Sequence, residues 1–240
     1  MTLPLRTMML PIALAVGVGA PAAPRPDIAW RSVVCSDRSF RYILDAPPKT
    51  ATAPAPAVLL LHGAGDRPDP MVEAWRSIAD AEGIVIIAPE IPRVEWFEPI
   101  APAVFRCMVE DAGRAVAIDP HRIYVFGHSM GGYLAYDAAM LESRYFAAAA
   151  IHAMGIAPEY DWIVDSAQRR MPLAIYIGEH DPLVPLASVR RTRELLVARG
   201  FTVHYVELKD HDHDYYALAP LINADAWNFL KQQRVGMDRP

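Results

Sequence analysis

The stretch Ile123-Tyr-Val-Phe-Gly-His-Ser-Met-Gly-Gly-Tyr133 decides the fold of this chain. Its four apolar, mostly β-favouring residues run into Gly127-His-Ser-Met-Gly131, and a segment compatible with a helix follows at once. A G-x-S-x-G sequence between a strand and a helix predicts a sharp turn that exposes the hydroxyl of Ser129 as a nucleophile. Gly127 and Gly131 are expected there because a Cβ atom at either position would collide where the strand and helix converge.

Outward from this stretch, apolar runs alternate with segments of helical periodicity. Ala57 to Leu61 and Ile84 to Ala88 are continuous apolar runs, typical of strands buried on both faces of a parallel sheet. Further strands are predicted at 146–151, 173–177 and 201–208, a strand pair at 30–46 with its turn at 36–39, and helices at 71–82, 99–118, 187–199 and 220–232. The alternation predicts an α/β fold whose central sheet is mostly parallel and covered by helices on both faces.

Composition limits the classes of function. The 240 residues suit one domain, and a hydrophobic content of 53% is ample for a sizeable core. The net charge of −5 comes from interspersed acidic and basic residues without a basic stripe, so nucleic acid is not a predicted partner. The sequence gives no indication of the oligomeric state.

The N-terminal segment Met1 to Ala23 has the pattern of a secretory signal peptide. Arg6 is the only charge before an apolar run from Met8 to Val18, and small residues close the segment. The run is too short for a membrane-spanning helix of about 20 residues, and an uncleaved anchor is the alternative. We expect a signal peptide within residues 1–23, cut near Ala20, and a single catalytic domain over 24–240. The mature chain is then secreted or periplasmic, without stable membrane insertion.

The only two cysteines, Cys35 and Cys107, lack the spacing of a metal site or a redox pair. They form either one disulfide or two separately buried thiols, and the sequence leaves both open. No cofactor is predicted.

A serine nucleophile needs a histidine base and a carboxylate that orients the histidine. Asp181 follows the predicted strand 173–177 and is the expected acid, with Glu179 as its competitor. The base is expected in the loop after the last strand, where His213 is favoured over His211. His211 is expected at the loop surface or donating to a neighbouring carboxylate. The alternating His and Asp residues of this loop offer no identifiable third ligand, so no metal site is predicted.

The oxyanion that forms during acyl transfer needs hydrogen-bond donors. The loop His62-Gly-Ala-Gly-Asp66 follows a buried strand, and glycines let its backbone turn an N–H group inward. The N–H of Ala64 is the expected first donor, with Gly65 as the alternative. The N–H of Met130, directly after the nucleophile, is the expected second donor.

These motifs together resemble an α/β-hydrolase. His62-Gly-Ala-Gly65, Gly127-His-Ser-Met-Gly-Gly132, Gly178-Glu-His-Asp181 and Asp212-His-Asp-Tyr-Tyr216 occur in the order of that superfamily. The elbow region resembles secreted single-domain esterases of the polyhydroxybutyrate depolymerase, feruloyl esterase and acetylxylan esterase-like group. The segment at His213 is similar to that of esterase D and S-formylglutathione hydrolases, and this similarity favours His213 over His211.

The resemblance implies a serine carboxylesterase that acts through an acyl-enzyme on small-molecule or polymer-borne esters. Residues 153–170 are too few for the large lid of many lipases, so an open pocket is expected, which Trp96, Tyr133, Tyr160 and Trp162 could line. A serine peptidase or amidase of the same fold is one alternative function. A catalytically inactive binding module is the other.

Overall fold

A computed structural model describes residues 29–47, 53–91 and 100–236. The predicted signal peptide and Trp96 lie outside these residues. The described strands are β1 (Ala29–Cys35), β2 (Arg38–Asp45), β3 (Ala55–Leu61), β4 (Val85–Pro89), β5 (Ile118–His128), β6 (Ala148–His152), β7 (Leu173–Gly178) and β8 (Val203–Leu208). The described α-helices are α1 (Pro68–Glu82), α2 (Ala103–Gly113), α3 (Met130–Leu141), α4 (Trp162–Asp165), α5 (Leu186–Ala198) and α6 (Tyr215–Leu230).

All eight of these strands form one sheet in the order β1-β2-β4-β3-β5-β6-β7-β8. The strands from β4 to β8 pair in parallel, and β2 pairs antiparallel with both β1 and β4. The mostly parallel α/β architecture predicted from the apolar runs is therefore confirmed. Because parallel strands end at the same edge, the loops after β3, β5 and β7 come together with the loop after β8.

The sheet is buried on both faces because helices cover each of them. Residues of α1 and α6, including Trp75 and Trp227, pack against one face. Residues of α2, α3 and α5, including Phe105 and Leu134, pack against the other. Neighbouring residues of β5 follow this division, since Val125 faces the second core and Phe126 the first. Continuous apolar strands are what two covered faces require.

Several boundaries differ from their predicted positions: α1 begins at Pro68, and the predicted helix 99–118 is shorter, because α2 ends at Gly113 and Ile118 already begins β5. Two further differences have a local cause. The turn between β1 and β2 contains only Ser36 and Asp37, both with positive φ (50° and 62°), instead of four residues. Positive φ at both central positions is the geometry of a tight type I′ hairpin. Helix α6 begins at Tyr215, five residues before Pro220, because the carboxylate of Asp214 accepts a hydrogen bond from the N–H of Tyr216 and caps the helix. Pro220 therefore lies inside the helix.

A disulfide joins Cys35, at the end of the edge strand β1, to Cys107 in α2. The sequence left this pairing open, because the two residues are 72 positions apart and only the packing of α2 against the sheet brings them together. Within the described part of the chain, no helix is both long enough and apolar enough to cross a membrane.

Candidate active site

Ser129 lies at the turn between β5 and α3 with φ 55° and ψ −122°, a conformation that non-glycine residues rarely adopt. The two flanking glycines make this turn possible. A Cβ on Gly127 would collide with the backbone of Gly131, and a Cβ on Gly131 would collide with the backbone of Leu61 in β3. Close approach of the strand and the helix therefore requires glycine at both positions, as the sequence predicted.

The structure brings together the three side chains predicted for the triad. Nε2 of His213 lies 2.9 Å from Oγ of Ser129, and Nδ1 of His213 lies 2.8 Å from Oδ2 of Asp181. A carboxylate only accepts hydrogen bonds, so Nδ1 carries the proton and Nε2 is free to accept from the serine hydroxyl. The other oxygen of Asp181 accepts from the backbone N–H groups of Leu183 and Val184, both at 2.9 Å, and the carboxylate has no exposed surface.

Backbone contacts fix the loop of Asp181 against the loop of His213. The N–H of Glu179 donates to the carbonyl of Leu208 at 3.1 Å, and the N–H of His180 donates to the carbonyl of His211 at 2.9 Å. Gly178 ends β7 where a Cβ atom would collide with the carbonyls of this second loop. Glu179, the competing acid in the sequence, is exposed and does not contact His213.

The loop after β3 lines the same cavity as His213. The buried ring of His62 holds the loop, since its Nδ1 donates to the carbonyl of Gly63 at 2.9 Å and its Nε2 accepts from the N–H of Ile91 at 3.2 Å. Ala64 lines the cavity, and Met130 opens α3 directly after the nucleophile. Among the described residues, neither the N–H of Ala64 nor that of Met130 donates to another protein group. Both amides are therefore available as oxyanion donors.

The expectation for His211 is wrong, because its side chain is buried with only 5% exposed. It lies beside His152, with ring centroids 5.8 Å apart, and its Nε2 has no partner within the described chain. The loop turns inward after Asp210, whose φ is 54°, and this turn buries His211 while His213 is left at the cavity. An H-x-H sequence alone cannot reveal this difference.

A buried imidazole pair lies behind His213 and was missed from the sequence. Nδ1 of His128 lies 2.9 Å from Nδ1 of His152, and the ring of His128 is 5.1 Å from the ring of His213. The Nε2 of His152 is buried without a partner in the described chain. An unpaired buried acceptor is less costly than an unpaired buried N–H, so Nε2 of His152 carries no proton. The proton of the hydrogen bond between the two rings therefore belongs to Nδ1 of His152, which donates it to Nδ1 of His128. His128 then directs an Nε2–H group toward the cavity that it lines.

Burial keeps this pair uncharged. Burial, and to a smaller extent the charge of His213, lower the pKa of His128 to about 3, and burial lowers the pKa of His152 well below the ordinary value. Burial also lowers the pKa of His62. None of these three rings is therefore protonated at neutral pH.

Acidification is expected to destabilise the protein before most carboxylates titrate. Between the pKa of an unfolded histidine and the lower folded pKa of His128, the unfolded state binds more protons, so stability is full above about pH 6.5 and falls as the pH drops. For His128 alone, the free energy of unfolding should decrease by about 2 kcal/mol from pH 7.5 to pH 5. Urea unfolding at the two pH values measures this change. His152→Asn should reduce the decrease, whereas substitution of the exposed His180 by Gln should not; an equal decrease in all three proteins would contradict the prediction.

A cavity of about 530 Å³ opens over Ser129 and His213. Its described lining comes from the loops after β3, β5, β7 and β8, with His128 at the end of β5 and Tyr215 and Tyr216 at the start of α6. This is the place expected for a site at the carboxyl edge of a parallel sheet. Tyr133, Tyr160 and Trp162, suggested as lining residues, do not line it; Tyr133 packs on Tyr160 instead, with ring centroids 6.1 Å apart. The connection from β6 to β7 contains only a 3₁₀ turn (Pro158–Tyr160) and the four-residue helix α4, in agreement with an open site.

One group of potential metal ligands lies next to the triad among the described residues. Glu179, His180 and Asp210 place a ligand atom each within 4.8 Å of the others, and all three side chains are exposed. The group includes neither His211 nor His213. Exposed acidic side chains commonly cluster in this way without an ion.

Comparison with known proteins supports the same fold. Residues 43–226 match the dienelactone hydrolase family, which is part of the α/β-hydrolase superfamily. The chain belongs to the dienelactone hydrolase family. This membership confirms the predicted α/β-hydrolase superfamily. The family is named for hydrolases, in agreement with the predicted enzyme class. The narrower resemblance to polyhydroxybutyrate depolymerases, feruloyl esterases or esterase D stays a prediction.

One relative is NocK, a proposed esterase from Nocardia uniformis subsp. tsuyamanensis. It is 30% identical to this chain over 194 residues. The match covers 73% of this chain and 56% of NocK, so the chain spans about half the length of that relative. The structure is similar to that of a thermostable esterase (TM-score 0.72, 24% identity, 87% of this chain and 63% of that one). It is also similar to S-formylglutathione hydrolase from Agrobacterium tumefaciens (TM-score 0.64, 18% identity, 86% and 95%). Both structural similarities concern the fold alone.

Proposed function

We propose that this protein is a serine carboxylesterase that hydrolyses carboxylic esters through an acyl-enzyme. The observation that carries the proposal is the hydrogen-bonded series from Ser129 through His213 to the buried Asp181, open to a cavity. Membership of a hydrolase family supports ester hydrolysis, and so does the similarity to NocK.

In the proposed reaction, Oγ of Ser129 attacks the ester carbonyl while Nε2 of His213 takes the hydroxyl proton. Asp181 holds the proton of Nδ1 and stabilises the imidazolium that forms. The N–H groups of Ala64 and Met130 stabilise the oxyanion, and the alcohol leaves with the proton from His213. Water, activated by the same histidine, then hydrolyses the acyl-enzyme and returns the serine to its starting state.

A fluorophosphonate probe and two chromogenic substrates test this function. The probe should label the protein at Ser129, as located by peptide mass spectrometry, and p-nitrophenyl acetate should be hydrolysed far faster than an aminoacyl p-nitroanilide. Faster hydrolysis of the anilide would favour a peptidase or amidase of the same fold. Folded protein that neither reacts with the probe nor turns over either substrate would indicate a binding module. A panel of acyl lengths with feruloyl and acetylated-sugar esters then defines the substrate.

His213, rather than His211, is proposed as the general base. His213→Ala should be nearly as inactive as a variant that lacks the serine nucleophile, because among the described residues no other imidazole hydrogen-bonds to Oγ of Ser129. His211→Ala should lower thermal stability, since it empties a buried site, while each folded molecule keeps most of its turnover. Steady-state kinetics with active-site titration separates the two effects, and the opposite pattern would assign the base to His211.

We further propose that the mature protein is exported and lacks the residues from Met1 to about Ala20. The disulfide between Cys35 and Cys107 supports this localisation, because such bonds persist in oxidising compartments outside the cytosol. Intact-mass analysis of protein from the native host should give a chain shortened by the signal peptide, and its mass should be that of the reduced form less two hydrogen atoms. An intact Met1 on protein from the cytoplasm would contradict export.

A further inference from the structure

Three carboxylates line the cavity around Ser129. They are Asp66, in the loop after β3, and Asp212 and Asp214, on either side of His213. No Lys or Arg side chain is among the described lining residues. The cavity therefore carries a local excess of negative charge. Three carboxylates lie in this one place, although the net charge of the whole chain is only −5.

Local hydrogen bonds occupy two of these carboxylates without neutralising them. One oxygen of Asp212 accepts from the N–H of Asp214 at 2.9 Å, and one oxygen of Asp214 accepts from the N–H of Tyr216 at 3.0 Å. These donors are backbone amides, so each carboxylate keeps its formal charge. Among the described residues, none of the three carboxylates forms a salt bridge with a basic side chain.

The negative field reaches neighbouring groups of the cavity. Partial burial raises the pKa of Asp66, and the charge of Asp214 raises it further. Burial likewise raises the pKa of Tyr216, and Asp66 and Asp214 add to this effect. Tyr216 also lines the cavity, and its hydroxyl is buried without a hydrogen-bond partner in the described chain. Carboxylates beside an aromatic ring are the combination that attracts an ammonium group.

We propose that the site selects esters that carry an ammonium group in the acyl or the alcohol part. This inference rests on the proposed esterase function and adds the charge of the substrate to it. Three carboxylates that line the cavity should favour a partly solvated cation over a neutral ester of the same shape by about tenfold in kcat/KM, and disfavour an anion by a similar factor. Salt should weaken both preferences, because the mouth is open to solvent.

Three thioacetates of similar size test the inference. Acetylthiocholine supplies the cation, 3,3-dimethylbutyl thioacetate the neutral isostere, and S-acetyl-3-mercaptopropionate the anion. We expect kcat/KM to fall in that order at low ionic strength, and the differences to shrink between about 0.01 M and about 1 M NaCl. Equal values for the three compounds at low salt would overturn the inference and leave the esterase function standing. No turnover of any of the three by folded protein would overturn the proposed function, and the inference with it.

Charge-removing variants locate the effect. Asp66→Asn, Asp212→Asn and Asp214→Asn each keep a side-chain oxygen that can accept the local hydrogen bonds. Each should lower the ratio of kcat/KM for the cation to that for the neutral ester by about twofold, and the triple variant by most of the tenfold preference. Glu110→Gln in α2, away from the cavity lining, is the matched control and should leave the ratio unchanged. An unchanged ratio in the triple variant would overturn the inference.

Discussion

Replacement of Ser129 by alanine is expected to lower kcat for ester hydrolysis by about 10⁴- to 10⁶-fold. The acyl-enzyme cannot form without Oγ, and the remaining rate comes from the oxyanion donors acting on water. The fold should survive, because alanine has the same Cβ as serine at this positive φ and the serine side chain makes no helix-capping hydrogen bond. Steady-state rates of p-nitrophenyl acetate hydrolysis measure the loss of kcat. Thermal unfolding of the variant beside the unchanged protein shows whether the fold is kept.

Labelling by a fluorophosphonate probe gives a second test of this variant. Ser129→Ala should not react with a fluorophosphonate probe under conditions that label the unchanged protein completely. A variant with near-normal turnover, in a preparation free of contaminating esterase, would show that another residue is the nucleophile, and the proposed mechanism would fall.

Asp181→Asn is expected to lower kcat by about 10⁴-fold with little change in structure. The remaining oxygen of the amide can still accept from the N–H groups of Leu183 and Val184, so the loop should keep its shape. The amide NH₂ would then face Nδ1 of His213, and the ring would move its proton to Nε2 to accept from it. In that tautomer, the histidine cannot take the proton of Ser129. Initial rates over a range of pH, beside unfolding curves, measure the change.

Glu179→Gln is the matched control for Asp181→Asn. It removes a carboxylate two residues away that is exposed and does not contact His213, so the turnover of ester should change little. A large loss in Glu179→Gln together with a small loss in Asp181→Asn would transfer the orienting role to Glu179. Both substitutions remove one negative charge, so general electrostatic effects cancel in the comparison.

Much of the fold was predictable because its signals are local. Apolar runs of five residues marked strands covered on both faces, and every one of the predicted strands is present in the sheet. The errors fall at element ends. Pro220 suggested the start of the last helix, but that helix begins at Tyr215 because Asp214 caps it. In the sequence alone, a capping carboxylate cannot be distinguished from any other loop residue.

The sequence by itself determined the elbow and the order of the site residues. Gly127 is required by its contact with Gly131, four residues further along, and the Ser–Asp–His order follows from strands that end at one edge; Gly131 is required by its contact with Leu61 of the neighbouring strand β3. Tertiary structure alone decided the rest. It brought Asp181 rather than Glu179 to His213, buried His211, and paired His128 with His152. It also joined Cys35 to Cys107 and set Asp66 beside Asp214. Each of these outcomes depends on how side chains from distant parts of the chain are oriented once the elements pack together, and no short-range pattern in the sequence specifies that orientation.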